Sequence, residues 1–299
     1  MTDSRSGSDP LAELDRGARL RVRILGLAAA LLMAVLLVAA QGALRQPLFD
    51  LFHRYSPAPD STPRVQVVVV DAASLEAVGG WPWSRYTMAR LTEQIAARGA
   101  VAIGYDFLFA EADRQTPDDF ARIYPELSAA AAGEVAALPS MDAVFARVIG
   151  RAPVVLARAG VEAGSYDRRE DGSAMPAPAA LPPDVRFTGP VPDAIPRYAS
   201  VVANLDILDG AALGHGLANG PPDPDGVIRR VPLLGRPGGV LTPSLALELV
   251  RVAEGENTVR LEGDRSGLRA VRIGPHRVPV DAGGRVELRL AVAPSDNTP

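Results

Sequence analysis

The sequence predicts an α/β fold: an N-terminal transmembrane helix, then a mostly parallel sheet flanked by helices, and a small C-terminal β-meander. Three observations lead there. Residues 24–44 carry no charge and are mostly Leu, Ala, Val and Ile; at 1.5 Å per residue such a helix is about 31 Å long, roughly the hydrocarbon thickness of a bilayer. Val65–Asp71 and Ala100–Asp106 are two largely apolar runs of the kind that forms strands buried on both faces, and a segment of helical period lies between them. Residues 270–290 then hold three short strand-like runs.

Taken in order, Arg16, Arg19, Arg21 and Arg23 precede the apolar run, while Arg45 and Arg54 follow it. The positive-inside rule therefore puts residues 1–23 in the cytoplasm as an Arg-rich tail, 24–44 in the membrane and 45–299 outside, a single-pass inner-membrane placement. A cleaved signal peptide is the alternative, since Val38-Ala39-Ala40 offers small residues to a peptidase. Pro47, Pro57, Pro59 and Pro63 around Phe49, Leu51, Phe52 and Tyr55 suggest a short amphipathic stalk and an extended lead-in. The strand Val65–Asp71 comes next. Met88, Leu91 and Ile95 mark a helix over 85–98 that Gly99 stops. With the strand Ala100–Asp106 this makes a βαβ unit, whose strands should be parallel.

Alanine-rich helices are expected over 118–133 and 141–150, and a strand over 152–157. Residues 159–197 read as a Pro-rich surface excursion with one short edge strand at 185–187. Further strands fall at 200–205 and 227–234. Thr242 looks like an N-cap with Pro243 at the first helical position, and strands at 270–273, 277–280 and 286–290 close the chain as a meander.

Composition removes several chemistries. All 31 basic residues are arginine and there is no cysteine, so the chain has no phosphate-loop lysine, Schiff-base lysine, thiol nucleophile or zinc–thiolate site. The lack of cysteine is compatible with an oxidising compartment. His53, His215 and His276 are too scattered for a local metal motif. A net charge of −4 gives no basic footprint for nucleic acid. No cofactor is expected: Gly214-x-Gly216-x-x-x-Gly220 misses the dinucleotide fingerprint, and Leu234 stands where a calcium loop beginning at Asp223 needs Glu.

What remains points to binding. Asp71 and Asp106 end two strands expected to lie about 4.8 Å apart, at the carboxyl edge where open α/β sheets take ligands. Such a pair can share a proton, hold a divalent cation or recruit an arginine; alternatively each caps a loop or pairs with Arg85. Between them, Gly79-Gly80-Trp81-Pro82-Trp83-Ser84-Arg85 contains both tryptophans of the chain, which either floor a pocket or lock the loop onto the sheet. His215, between two glycines, has a plausible pocket address. Asp223-Pro224-Asp225-Gly226 reads as a tight turn entering a strand, and of Arg229 and Arg230, which face opposite ways, one can turn inward to a carboxylate. The expected ligand-binding set is thus Asp71, Trp81, Trp83, Arg85, Asp106, His215, Asp223, Asp225 and Arg229, with no catalytic and no metal-ligating residue.

Four stretches taken in order resemble a CHASE2 domain: the Val-rich run with Asp71 and Ser74-Leu75; Gly80-Trp81-Pro82-Trp83-Ser84-Arg85; Ile103-Gly104-Tyr105-Asp106-Phe107-Leu108-Phe109; and Leu213-Gly214-His215-Gly216 with Asp223–Arg230 and Pro243-Ser244-Leu245-Ala246. The Trp-Pro-Trp-x-Arg run is the specific element, and the resemblance covers residues 46–290. It implies an extracytoplasmic sensory input domain of bacterial transmembrane receptors, anchored by a membrane helix. In the family, further membrane helices and a cytoplasmic output follow, such as an adenylate or guanylate cyclase, a histidine kinase or a Ser/Thr kinase. The family's ligands are largely undefined, so the resemblance brings no site residues with it. No second apolar segment follows Leu290, so the expectation is either the front part of a longer receptor or a stand-alone anchored sensor.

The expected partners are a small molecule or ion, the lipid bilayer and a second copy of the chain as a homodimer, with no nucleic acid. A periplasmic metal-dependent hydrolase using Asp71 and Asp106 is the rival from another class, and a structural adhesion module is the third.

Overall fold

The computed structural model describes residues 10–55, 64–162, 185–223 and 225–288, the side chains of 10–20 and 36–45 excepted. They divide into two units, one holding α1 (Pro10–Tyr55) and the other residues 68–288. The helix α1 runs on through Pro47 and covers the first part of the expected stalk; the proline-rich lead-in at 56–63 lies outside the described residues. Among the described residues no helix is long and apolar enough to cross a membrane. That corrects the expected transmembrane helix over 24–44, and with it the single-pass inner-membrane placement.

The segment leading into the second unit also departs from expectation. Among the described residues Val65–Val70 is extended but joins no ladder, and Val65, Val67, Val68 and Val69 are 55–82% exposed. A β-branched run becomes a strand only where a neighbour completes its hydrogen bonds. Here the run ends at Asp71, whose carboxylate accepts the Ser74 N–H at 2.9 Å and starts the short helix α2 (Ala72–Val78). Among the described residues the expected βαβ unit therefore lacks its first strand.

Its helix and second strand are present. Ser84 caps α3 (Arg85–Ala97) by accepting the Thr87 N–H, and Gly99, at φ 85°, leads out of it toward β1 (Ile103–Tyr105). Next come α4 (Pro117–Ile123), capped by Thr116 with Pro117 at its start, α5 (Ala129–Ala136) and α6 (Met141–Ile149), capped by Ser128 and Ser140. Pro125 divides the first two, where one helix over 118–133 was expected. The chain enters β2 (Val154–Val161), parallel to β1 with Gly104 opposite Val155.

After residues 163–184, which lie outside the described set, β3 (Arg186–Thr188), β4 (Arg197–Tyr198) and β5 (Ser200–Val202) follow, then α7 (Asp206–Asp209) and β6 (Gly214–Leu217). The first sheet is β1-β2-β6, all parallel, with β5 antiparallel to the far end of β2. The expected strand 227–234 is split into β7 (Arg230–Pro232) and β8 (Leu234–Pro237). Thr242 and Pro243 form β9, so the cap of α8 (Leu245–Ala253) is Ser244, not Thr242. Closing the unit are β10 (Thr258–Asp264), β11 (Gly267–Ile273), β12 (His276–Pro279) and β13 (Arg285–Glu287).

The second sheet runs β12-β11-β10-β3, with β3 parallel to β10 at its edge. The expected meander is only partly present: β11 and β12 pair, but β13 leaves to join β7. The strand β10 escaped sequence reading, although Val259 and Leu261 alternate with Arg260 and Glu262 in the pattern of a half-buried strand.

One core lies under the first sheet, where Tyr105, Phe109 and Phe145 meet edge to face at 5.3–5.8 Å with Met88, Ile149 and Leu156 around them. A second, of Val259, Leu261, Leu268, Val271 and Ile273 with Leu234 and Leu247, fills the other sheet.

Candidate functional site

Beyond the carboxyl end of β1 the chain opens a cleft of about 390 Å³ between the loop entering α3, Trp81–Arg85, and the segment Phe107–Gln115. This is the edge at which ligands bind in open α/β sheets. The loop folds on itself locally. Gly79 takes φ 115°, the Trp81–Pro82 peptide is cis, and the Trp83 indole Nε1–H donates to the Gly79 carbonyl at 2.7 Å. Trp81 packs on Trp83 at a centroid distance of 5.9 Å and on Phe107 at 5.2 Å. Trp81 stays 48% exposed and Phe107 36% exposed, so the cleft presents a bare aromatic face.

Behind that face sits a buried charge cluster. The Arg85 guanidinium lies over the Phe109 ring at 4.6 Å, donates through Nη2 to the Glu111 carbonyl at 2.9 Å and brings Nε to 3.3 Å from Asp142 Oδ1. Asp113 Oδ2 accepts the Arg85 backbone N–H at 2.5 Å, and its Oδ1 accepts that of Gln115 at 2.9 Å. Asp142 Oδ2 accepts the Asp113 N–H at 3.0 Å. Two carboxylates that are nearly buried are thereby held by backbone donors and one cation, which is how buried charge becomes tolerable. The cluster pins the cleft segment to α3 on one side and α6 on the other.

Of the expected site residues, Trp81, Trp83 and Arg85 line this cleft and the other six do not. Asp71 is an exposed helix cap whose carboxyl is held below its usual value by hydrogen bonds from the Ser74 backbone and hydroxyl. Asp106 is an exposed residue just after β1. Asp223, Asp225 and Arg229 gather with one another: Arg229 reaches Asp225 at 2.8 Å and Asp223 at 3.4 Å, and Arg230 reaches Asp223 at 3.0 Å. Gly226 at φ 83° closes that turn. The Arg229 hydrogen bond, helped by the Val227 N–H, depresses the Asp225 carboxyl. Among the described residues no group of three or more His, Cys, Asp or Glu could hold a metal ion, and neither Asp71 nor Asp106 joins such a set.

His215 has a different setting. A Cβ on Gly214 would run into the Glu248 carboxylate, and one on Gly216 into the backbone at Ser244 and Leu245. The two glycines let α8 lie close on β6, and His215 between them points to the opposite face. There its Nε2 lies 3.2 Å from Asp209 Oδ1, Arg158 Nη2 lies 3.1 Å from Asp209 Oδ2, and Asn204 donates to Asp209 Oδ1 at 2.9 Å. Burial pushes the Asp209 carboxyl up, but the His215 ring, the Arg158 charge and the Asn204 amide together hold it below its ordinary value.

Sequence reading missed Asp113 and Asp142, the carboxylates that position Arg85. They stand 29 residues apart, and nothing local marks either except the place of Asp142 in the first turn of α6. Phe107 and Phe109 were visible only as part of the resemblance.

Compared with known families, the chain matches the family model of the CHASE2 domain over residues 27–297. No curated protein and no solved structure matches it.

Proposed function

The chain belongs to the CHASE2 domain family of extracytoplasmic sensory modules, and from that premise we propose that it is the input domain of a signal-transduction receptor whose small-molecule ligand binds in the Trp81–Arg85/Phe107–Gln115 cleft. The observation that carries this reading is the exposed face of Trp81 and Phe107, backed by the buried Arg85–Asp113–Asp142 cluster. Bare aromatic surface over a rigid polar support is what a binding site needs and what folding alone disfavours. Asn204 supports a route outward, because it bonds the cleft segment at Phe109 and also Asp209 of α7. Ligand seated on Phe107 would bias that junction, a coupling of typically 1–3 kcal/mol. The output, a cyclase or kinase activity in the cytoplasm, is part of the proposal.

The test replaces Trp81 and Phe107 by alanine, singly, in the receptor that carries this domain, and measures its signalling output. Loss of the response with the protein still folded is expected. An unchanged response from both variants removes the cleft as the sensing site.

A further inference from the structure

We infer that the ligand of the cleft is a small, uncharged molecule with a planar ring, which stacks on the Trp81–Phe107 face. This rests on the cleft being the sensor's binding site and adds the class of ligand.

Three observations on the lining support it. The rings touch one another, at centroid distances of 5.9 Å for Trp81–Trp83 and 5.2 Å for Trp81–Phe107. Two rings that bracket a cation need a gap of about 7 Å, twice a contact distance, so these rings form a continuous face and not a cage. The buried cation of the cleft wall, Arg85, is already engaged with Asp142, the Glu111 carbonyl and the Phe109 ring, and its side chain is only 13% exposed. An anionic ligand would have to compete with the Asp142 carboxylate and the Glu111 carbonyl for it. The charged side chains of the lining also balance, Arg85 and Arg114 against Glu111 and Asp113, leaving no net field to select a charged ligand. The flat π surface is what remains for recognition, and it favours another flat π system.

The chain supplies its own reporter, since its two tryptophans both line the cleft. Benzamide serves as the planar neutral probe, cyclohexanecarboxamide as its saturated counterpart, benzoate as the anion and choline as the cation. Each is titrated into the full chain while the two indole N–H resonances and the tryptophan fluorescence are followed. The expected result is saturable binding of benzamide, about fivefold tighter than of cyclohexanecarboxamide, with benzoate and choline weaker still. Trp81→Ala and Phe107→Ala should each weaken benzamide binding while the remaining resonances keep their folded dispersion. Equal binding of the saturated amide, preference for benzoate or choline, or no binding of benzamide at millimolar concentration overturns the ligand class. A receptor whose output ignores both alanine variants, while benzamide still binds with the expected preference, instead overturns the sensing role and leaves the cleft's chemistry standing.

Discussion

The side-chain oxygen of Asn204 accepts the backbone N–H of Phe109 at 2.8 Å, across 95 residues of chain. The same amide donates to the Ala157 carbonyl of β2 at 3.0 Å and to Asp209 Oδ1 at 2.9 Å, and the Leu205 N–H returns a bond to the Phe109 carbonyl at 2.9 Å. One buried side chain thus ties the wall of the cleft to the sheet and to α7. Asn204→Leu keeps the γ-branched heavy-atom shape but strands the Phe109 donor and two acceptors in the interior. A loss of about 3 kcal/mol in urea unfolding is expected, and a midpoint that does not move would show that the junction carries no load.

Arg85 meets two buried carboxylates, Asp142 through its guanidinium and Asp113 through its backbone N–H. Arg85→Met should cost about 3–5 kcal/mol, most of it from leaving the buried Asp142 carboxylate without its cation. Adding Asp142→Asn should recover part of that loss, because a neutral amide no longer needs the guanidinium. Additive losses in the double-mutant cycle would contradict the pairing.

The Asp209 carboxyl is held below its ordinary value in the folded protein. A depressed carboxylate contributes stability that is fully present above its unfolded pKa of about 3.9 and is lost as pH falls through the lower folded value. Wild type should therefore exceed Asp209→Asn in stability at pH 6. The gap should shrink only below about pH 4. A gap that does not narrow in acid would mean that the Asp209 charge is not its source.

Gly216 faces the first turn of α8 with no room for a Cβ, and the obstructing atoms are backbone. Gly216→Ala should destabilise by about 3 kcal/mol, the upper part of the overpacking range, since no side-chain rotamer can yield. Gly226→Ala provides a contrast, because it meets no atoms but sits at φ 83°, and should cost about 1 kcal/mol. Both are read from thermal or denaturant unfolding.

Glycine and tryptophan were the residues whose meaning could be read early. Gly80-Trp81-Pro82-Trp83-Ser84-Arg85 gave away one wall of the cleft because a stiff loop with two indoles can do little else than cover something. The opposite wall was legible only as a run after a strand. Its supports, Asp113 and Asp142, carry no local pattern, since a carboxylate that accepts distant backbone donors looks like any surface acid until the chain is folded.

By itself the sequence determined the α/β class, the helix after Ser84, the strands around Ile103 and Val154, and the family. These follow from short-range periodicity, capping and a distinctive motif. Only the tertiary structure decided that Val65–Val70 pairs with no strand among the described residues, that β13 leaves the meander for β7, and that the aspartates bonded to Arg85 are Asp113 and Asp142 and not Asp71. The physical reason is common to all three. Ladder partners and ion-pair partners are long-range choices, set by which groups the packed core brings together, and no window of neighbouring residues contains that information.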